Sequence, residues 1–288
     1  MSPEAPRAAP DSGPALTLEQ LLAARYALPS VPRVVALLLS ELDQPEPDLR
    51  RVSQLISTDP ALTVRLLQWS NSSVFQLSGK VHSVSEALAI LGLSQVRAMA
   101  AQAAGSASLR AVPGIDLPRF WAYSLDVARM ARSLAGVVRQ NQQAAFTCGL
   151  IHAVGELALH GVMPGPVLRL DREVPALDLR RARAERRQFG YCYAQAGAGL
   201  ARQWHFPQSI VDALEHQYAP FDNEVYEPLA GVIHLATWRA RARQAGLPPQ
   251  GLADTFPGAV GEVLALDIDM VLQQDPIDWT AQGAARHA

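Results

Sequence analysis

The stretch Asp59-Pro-Ala-Leu-Thr-Val-Arg-Leu-Leu-Gln-Trp69 contains the starting signals and the apolar spacing of an α-helix. Asp59 is a suitable N-cap because its carboxylate can accept a hydrogen bond from a free backbone N–H, and Pro60 suits the first helical turn. Apolar side chains then recur at helical spacing at Leu62, Leu66, Leu67 and Trp69. This stretch is typical of a chain that is built from short, packed helices.

The same signals recur on both sides of this helix. On its N-terminal side, Thr17-Leu-Glu-Gln20 is a capping box and Pro32 begins another helix. On its C-terminal side, Ser83-Val-Ser-Glu86 is a second capping box, for a brief helix that closes at Gly92 and is followed by another from 95 to about 107. No alternation with period 2 is long enough for a strand, so we predict an all-α fold.

The second half of the chain predicts longer helices, after a boundary at Val112-Pro-Gly114. These helices are predicted at 118–139, 142–159, 178–188, 194–205, 207–217 and 227–244, with one or two minor helices from 257 onward. The predicted organisation is a disordered lead-in at 1–16, an N-terminal bundle at 17–110, a second bundle at 111–279 and a frayed tail at 280–288. The two bundles should meet near 108–120.

Composition excludes several classes of protein. The 288 residues are 49% hydrophobic and 18% charged with a net charge of −2, which excludes a disordered chain and general attraction to nucleic acid or anionic lipid. Cys148 and Cys192 are too few for a disulfide framework or a thiolate zinc site. No apolar run is long enough to span a bilayer, and the N-terminus lacks the pattern of a signal peptide. We therefore expect a cytoplasmic protein without a membrane segment.

His152 stands alone in the apolar stretch Leu150-Ile-His-Ala-Val-Gly-Glu-Leu157. A lone histidine in such surroundings is more often a hydrogen-bonded core residue than a ligand. The stretch nevertheless resembles the His-Asp motif of the HD metal-dependent phosphohydrolases, with Ala153 where the metal-bridging aspartate should be.

Further stretches resemble the HDOD domain, a non-catalytic relative of those enzymes, in their order and spacing. In the first half they are Leu28-Pro-Ser-Val-Pro32, Ile56-Ser-Thr-Asp-Pro-Ala-Leu62, Leu66-Leu-Gln-Trp-Ser-Asn-Ser72 and Lys80-Val-His-Ser-Val-Ser-Glu-Ala-Leu-Ala-Ile-Leu-Gly92. In the second half they are Phe120-Trp121, the segment 149–157, Phe189-Gly190, Gly197-Ala-Gly-Leu200 and Trp204-His-Phe-Pro207. The likeness runs from about Tyr26 to Pro220, and weakly to Ala242. It implies an N-terminal helical bundle packed on a degenerate HD-like bundle.

The resemblance also shows where the metal ligands of an HD enzyme would stand, and this chain has other residues there. The matching positions are Tyr123, Tyr193, Gln217, Tyr218 and, approximately, Thr237, while Glu156 replaces a lysine of the family. Only His152 is retained. Because two-metal hydrolysis needs carboxylates and imidazoles to hold the ions, we expect no catalytic residue, no metal and no cofactor.

The resemblance implies a bacterial signal-transduction module, such as a response-regulator output or adaptor domain, that binds a protein partner or a small ligand. A homodimer is compatible with it. The candidate binding residues are Tyr123, His152, Glu156, Tyr193, Gln217, Asn71 and Lys80. The first five are expected to line a concavity left by the lost metals, and the loop from Asn71 to Lys80 to border a docking groove. The alternative function is a metal-dependent phosphohydrolase that acts on a nucleotide or cyclic dinucleotide through a rearranged site.

Two other groups of residues have weaker functional interpretations. Seven arginines in 169–187, against four acidic residues, give a local charge of +3 on a helix that we expect to be solvated. Because the acids interleave and no aromatic residue accompanies the arginines, nucleic-acid binding is not favoured. His205, His216 and His234 lack the spacing of a metal site.

Overall fold

The computed structural model describes residues 15–24, 26–75, 79–106, 111–221 and 226–274, and these ranges contain helices and no strand. The helices are α1 Leu18–Ala23, α2 Pro32–Leu42, α3 Leu49–Ile56, α4 Pro60–Ser70, α5 Val84–Ser106, α6 Leu117–Val137, α7 Gln142–Ile151, α8 Val154–Val162, α9 Pro164–Asp171, α10 Arg181–Phe189, α11 Tyr193–Gln203, α12 Gln208–His216, α13 Pro228–Gln244, α14 Pro249–Thr255, α15 Gly258–Leu264 and α16 Ile268–Gln273. A short 3₁₀-helix, Ser73–Phe75, follows α4. The all-α prediction is confirmed.

The predicted caps are present. Thr17 and Gln20 form a reciprocal capping box at the start of α1, with N···O distances of 3.0 and 3.3 Å. Asp59 accepts hydrogen bonds from the backbone N–H groups of Ala61 and Leu62 at 2.8 and 3.1 Å. The same carboxylate accepts a third bond from the N–H of Val31 at 2.7 Å, so one side chain starts α4 and ties it to the beginning of α2.

Helix α5 is two helical segments joined at Gly92, where the sequence predicts the end of a brief helix. Gly92 has φ 72° and ψ 164°, a conformation that is essentially restricted to glycine. The bend therefore depends on this residue.

Two predicted helices have the wrong bounds. The single helix predicted at 142–159 is interrupted at His152 and Ala153, which separate α7 from α8. The helix predicted at 178–188 begins only at Arg181, because the Asp178 side chain accepts a bond from the N–H of Arg180 at 2.8 Å and forms a turn there. Helices α9 and α14 were not anticipated. Most of the predicted lead-in and the whole predicted tail lie outside the described residues.

One large core cluster contains buried side chains from both sides of residue 110. It joins α2–α5 to α6, α7, α12 and α13, while a smaller cluster lies among α1, α8 and α11. The division into bundles at 17–110 and 111–279 stays a prediction.

Helices α8 and α11 approach each other through glycine. A Cβ atom on Gly155 would lie 2.0 Å from the carbonyl oxygen of Tyr193, whereas a Cβ on Gly197 would have no neighbour closer than 3.6 Å. The backbones of the two helices therefore touch at Gly155, and this contact positions Tyr193.

Contrary to the expectation from the sequence, two helical stretches are long and apolar enough to cross a membrane by length and composition alone. They are Val84–Gly105, of which 33% is buried in the protein, and Gln142–Val162, of which 83% is buried. The first is bent at Gly92 and the second is interrupted at His152. The burial of the second stretch is that of a core helix in a globular protein.

Candidate functional site: a buried polar centre around His152

His152 lies in the break between α7 and α8 and is fully buried. Its Nδ1 is 2.8 Å from the carbonyl oxygen of Gly149, and its Nε2 is 3.3 Å from the hydroxyl oxygen of Tyr123. Because a carbonyl can only accept, Nδ1 carries the proton and Nε2 accepts from the Tyr123 hydroxyl. Burial lowers the pKa of His152 to about 3, so the imidazole is neutral near pH 7.

The buried guanidinium of Arg241, from α13, occupies the space beside Tyr123 and His152. Its Nε donates to the Tyr123 hydroxyl at 3.0 Å, and its Nη1 donates to the carbonyl oxygen of Asp178 at 3.1 Å. Its Nη2 is 3.5 Å from the Tyr193 hydroxyl, and the guanidinium carbon lies 5.7 Å from the centre of that ring. The guanidinium cation of Arg241 thus lies in the middle of this polar site, where it contacts two phenol groups and a carbonyl group.

Gln217 ties the end of α12 to the break at His152. Its Nε2 donates to the carbonyl oxygens of His152 and Leu214 at 2.9 and 3.0 Å. The carbonyl oxygen of Gln217 in turn lies 2.7 Å from Nδ1 of His234. The amide side chain therefore satisfies a backbone carbonyl that the interrupted helix leaves without a partner.

Glu156, in the first turn of α8, belongs to a buried ionic cluster around Arg181. The Nε of Arg181 lies 3.3 Å from Glu156 and 2.7 Å from Glu185, and its Nη1 lies 2.7 Å from Asp171. Burial alone would raise the pKa of Glu156, but the Arg181 guanidinium holds that pKa below its usual value. Burial and the neighbouring charge of Glu156 instead raise the pKa of Glu185 well above its usual value. Glu185 also accepts a bond from the N–H of Tyr193 at 2.7 Å, which joins this cluster to the centre.

Six of the seven arginines in 169–187 are exposed, as the sequence predicts, and Arg181 is the exception. Arg181 is 0% exposed and compensates buried carboxylates, whereas Arg183, Arg186 and Arg187 on the same helix are exposed. The sequence analysis missed this difference because an arginine with a glutamate four residues later is typical of a solvated helix face.

The seven predicted site residues fall into two separate groups. Tyr123, His152, Glu156, Tyr193 and Gln217 come together in the interior, and each is at most 3% exposed. The side chains of Arg241 and Arg181 pack against these five residues, and all seven lie beneath the surface. The five side chains therefore do not form the open concavity that the sequence predicts.

Asn71 and Lys80 belong to a loop on another part of the molecule. Asn71 is buried, and its Oδ1 accepts hydrogen bonds from the N–H groups of Lys80 and Val81 at 3.1 and 3.0 Å. Its Nδ2 donates to the carbonyl oxygens of Leu67 and Val81 at 3.1 and 3.0 Å. The Lys80 residue is exposed. Asn71 therefore ties the backbone of Lys80 and Val81 to the end of α4, and the exposed Lys80 carries a positive charge.

The residues of the centre do not fit the metal pair of an HD enzyme. Both nitrogens of His152 are engaged, Ala153 supplies no carboxylate, and the positive charge of Arg241 opposes that of a divalent ion. Elsewhere, Asp212, Glu215 and His216 are partly buried and lie within reach of one another, although the sequence spacing of the histidines does not indicate a metal site. Glu215 is already ion-paired with Arg202.

The sequence analysis also missed Arg241, although α13 contains a signal for it. Arg239, Arg241 and Arg243 are spaced two residues apart, which places Arg239 and Arg243 on one face of a helix and Arg241 on the opposite face. In an apolar helix, one of the two faces must then carry an arginine into the core.

Comparisons with known proteins identify the family and agree with the fold. A family model for the HDOD domain matches residues 28–220, more than half of the 288-residue chain. An uncharacterised protein of Treponema pallidum (strain Nichols) is 23% identical over 222 residues, which cover 74% of this chain and 42% of that protein. The chain thus spans less than half the length of this curated relative.

Two solved structures resemble the chain over nearly its whole length. The MmoQ response regulator of Methylococcus capsulatus (strain Bath) is 26% identical, with a TM-score of 0.68 and coverage of 87% of this chain and 98% of that chain. A protein of Shewanella amazonensis SB2B, whose assignment as a phosphohydrolase is provisional, is 26% identical, with a TM-score of 0.53 and coverage of 90% and 93%. The fold is therefore similar to that of a response regulator and to that of a protein assigned provisionally as a phosphohydrolase.

Proposed function

Because the chain belongs to the HDOD domain family, a signalling-related HD-like fold, we propose that it is a regulatory module that binds a protein partner and does not catalyse hydrolysis. The observation that carries the proposal is the position of Arg241. Its guanidinium is hydrogen-bonded to Tyr123 beside His152, where an HD enzyme would need a cluster of anionic and imidazole ligands. A buried arginine supplies a permanent positive charge there and makes a bound divalent ion unfavourable.

The other residues of the centre support the same proposal. A general base needs a lone pair that is free to take a proton, and the Nε2 lone pair of His152 is already engaged by Tyr123. The low pKa of His152 also makes the imidazole a weak base. We propose that Tyr123, His152, Glu156, Tyr193 and Gln217 affect binding by fixing how the helices pack.

The partner surface that we propose is the loop held by Asn71. Lys80 is exposed at its end, and the N–H of Gly79 donates to the carbonyl oxygen of His205 at 3.2 Å. The loop thus contacts the turn between α11 and α12, so a partner that binds Lys80 would touch elements from both halves of the chain. A cytoplasmic partner with an acidic patch fits this charge.

The competing function is a metal-dependent phosphohydrolase with a rearranged site, which is favoured by the similarity to the Shewanella protein. Nucleic-acid binding through Arg183, Arg186 and Arg187 is a third and weaker candidate, because the protein has a net charge of −2.

The deciding experiment compares metal content and turnover in the wild type and in His152→Ala. The protein is purified after expression with added Mn²⁺, Fe²⁺ or Zn²⁺, its metals are quantified, and hydrolysis of a cyclic dinucleotide is followed with each metal present. We expect substoichiometric metal and no turnover. Stoichiometric metal together with turnover that disappears in His152→Ala would establish the hydrolase and overturn the proposal.

The docking loop is tested with Lys80→Glu and, as a control that keeps the charge, Lys80→Arg. Both variants should melt as the wild type does, because the side chain is exposed and only the backbone of Lys80 is used by Asn71. Proteins that the wild type retains on an affinity column should be lost with Lys80→Glu and kept with Lys80→Arg. Retention of every partner by Lys80→Glu would remove this loop from the proposal.

A further inference from the structure

A cavity of about 670 Å³ opens between helices from the two halves of the chain, away from His152. One wall is formed by α3 and the first turns of α5, and the other by α6 and α7. This volume is within the range of pockets that hold small organic molecules, about 300–1,000 Å³. None of the residues of the buried centre lines it.

The charge in this cavity is positive. Arg50, Arg129 and Arg132 line it, and no aspartate or glutamate does. Arg129 is 4.0 Å from Asp126, the limit of an ion pair, while Arg50 and Arg132 form no ion pair within the described ranges 15–24, 26–75, 79–106, 111–221 and 226–274. Three lining arginines without a lining carboxylate give the cavity a positive charge, which favours an anionic occupant.

An apolar surface accompanies this charge. Leu88, Leu125 and Phe146 line the same cavity, and the guanidinium carbon of Arg132 lies 5.4 Å from the centre of the Phe146 ring. Aromatic rings and guanidinium planes are the surfaces on which planar heterocycles stack. The cavity therefore offers a stacking surface directly beside a cation.

Hydroxyl groups complete the lining. Ser53 and Ser57 on the α3 side and Ser85 on α5 contribute side chains that can donate or accept hydrogen bonds. They suit the hydroxyls of a sugar or the free oxygens of a phosphate.

We propose that this cavity is a binding site for a nucleotide, with the phosphate held by the arginines and the base stacked beside Phe146 and Arg132. Arginine suits the phosphate because its planar fork can donate two parallel hydrogen bonds to phosphate oxygens. The inference goes beyond the proposed function, because the site is separate from the centre at His152 and requires neither catalysis nor its absence. A nucleotide bound here would contact helices on both sides of the predicted boundary near 108–120 and so favour one arrangement of the two halves.

The test is titration calorimetry of the full chain with five probes: adenosine 5′-monophosphate, guanosine 5′-monophosphate, guanosine, ribose 5-phosphate and inorganic phosphate. We expect saturable binding of at least one nucleotide, ten-fold or more tighter than binding of guanosine, ribose 5-phosphate or inorganic phosphate. Binding of inorganic phosphate as tight as that of the nucleotides would show an anion site only and would overturn the proposal. Lack of saturable binding by both nucleotides at ~1 mM would also overturn it.

Three variants assign the binding to this cavity. Arg132→Gln removes a lining charge, and Ala89→Trp fills the cavity from an exposed position on α5 without changing any charge. Each should weaken nucleotide binding ten-fold or more, with a melting temperature close to that of the wild type. Arg119→Gln, an exposed arginine on the same helix as Arg132 but outside the cavity, should leave the affinity unchanged. Unchanged affinity in both cavity variants would place the nucleotide elsewhere and contradict the assignment.

These results are independent of the hydrolysis assay. Metal-dependent turnover would overturn the proposed function and leave a nucleotide site beside Phe146 intact. Failure of both nucleotides to bind would remove the site and leave the proposed function standing.

Discussion

The Nε atom of Arg241 lies 3.0 Å from the hydroxyl oxygen of Tyr123, and this hydroxyl is the group that donates to His152. A cation, a phenol and a neutral imidazole therefore form one hydrogen-bonded series that joins α13, α6 and the break between α7 and α8. Each bond polarises the next, so the Tyr123 hydroxyl is a stronger donor because it accepts from a guanidinium. The series gives the Nε2 atom of the buried His152 a hydrogen-bond partner from the protein itself.

Arg241→Met should destabilise the protein strongly. The change removes the donor from two buried phenols and from the carbonyl oxygen of Asp178, so the free energy of unfolding should fall by about 3 kcal/mol or more. Thermal unfolding measures it, with Arg97→Met as the control, since Arg97 is an exposed partner of Asp43. Equal melting temperatures for the two variants would show that the buried guanidinium is not needed for stability.

His152 should make stability dependent on pH. Its pKa is about 6.5 in an unfolded chain and about 3 in the folded protein, so the unfolded state binds one more proton between these values. This contribution to stability is complete above pH 6.5 and is lost as the pH falls towards 3. Urea unfolding near pH 5 should give a slope of the free energy of unfolding against pH that is larger by about 1.4 kcal/mol per pH unit in the wild type than in His152→Gln. Identical slopes would mean that His152 is protonated in the folded state.

Arg181 and Arg183 differ by two positions in one helix and should respond very differently to substitution. Arg181→Met leaves Glu156 and Glu185 buried without their cation and should lower the free energy of unfolding by about 3–5 kcal/mol. Arg183→Met changes an exposed side chain and should lower it by less than about 0.5 kcal/mol. Chemical denaturation of both variants gives these values, and similar losses would contradict the buried ionic cluster.

Two glycines at the contact of α8 and α11 give a matched pair of substitutions. Gly155→Ala places a methyl group 2.0 Å from the carbonyl oxygen of Tyr193, so the helices must separate and the free energy of unfolding should fall by about 2 kcal/mol or more. Gly197→Ala makes only ordinary contacts and should be neutral or stabilise its helix by up to about 1 kcal/mol. If Gly155→Ala were tolerated as well as Gly197→Ala in a thermal melt, the close approach of the two backbones would be wrong.

The signals that act over a few residues could be interpreted from the sequence. The carboxylate of Asp59, the proline after it and the bend at Gly92 all determine backbone geometry locally, so helix starts and the division of α5 were predictable. The break at His152 was not, because no proline or glycine marks it. It depends on Gln217, 65 residues away, whose amide accommodates the carbonyl group of His152.

The burial of the Arg181 side chain could not be predicted from the sequence either. Arg181 is buried because Glu156 and Asp171 reach it from α8 and α9, and no pattern near residue 181 shows which distant carboxylates will arrive. The tyrosines and the histidine of the centre were found through family resemblance, and the guanidinium that binds them together lies outside the matched region 28–220. The family resemblance indicates where metal ligands would be expected, but it does not show that the Arg241 side chain lies between those positions.

Lys80 is the only lysine among the 288 residues, and it is exposed at the end of the loop that Asn71 holds. Apart from the N-terminal amine, the Lys80 side chain is therefore the one primary amine in this sequence that amine-reactive reagents can modify. It lies where we expect a partner to bind. A cross-linker that is amine-reactive at one end and photoreactive at the other would join this side chain to the residue beside it, and fragment masses would identify that residue. Because acylation of this amine removes its positive charge, labelling before the partner is added should prevent docking, as Lys80→Glu does.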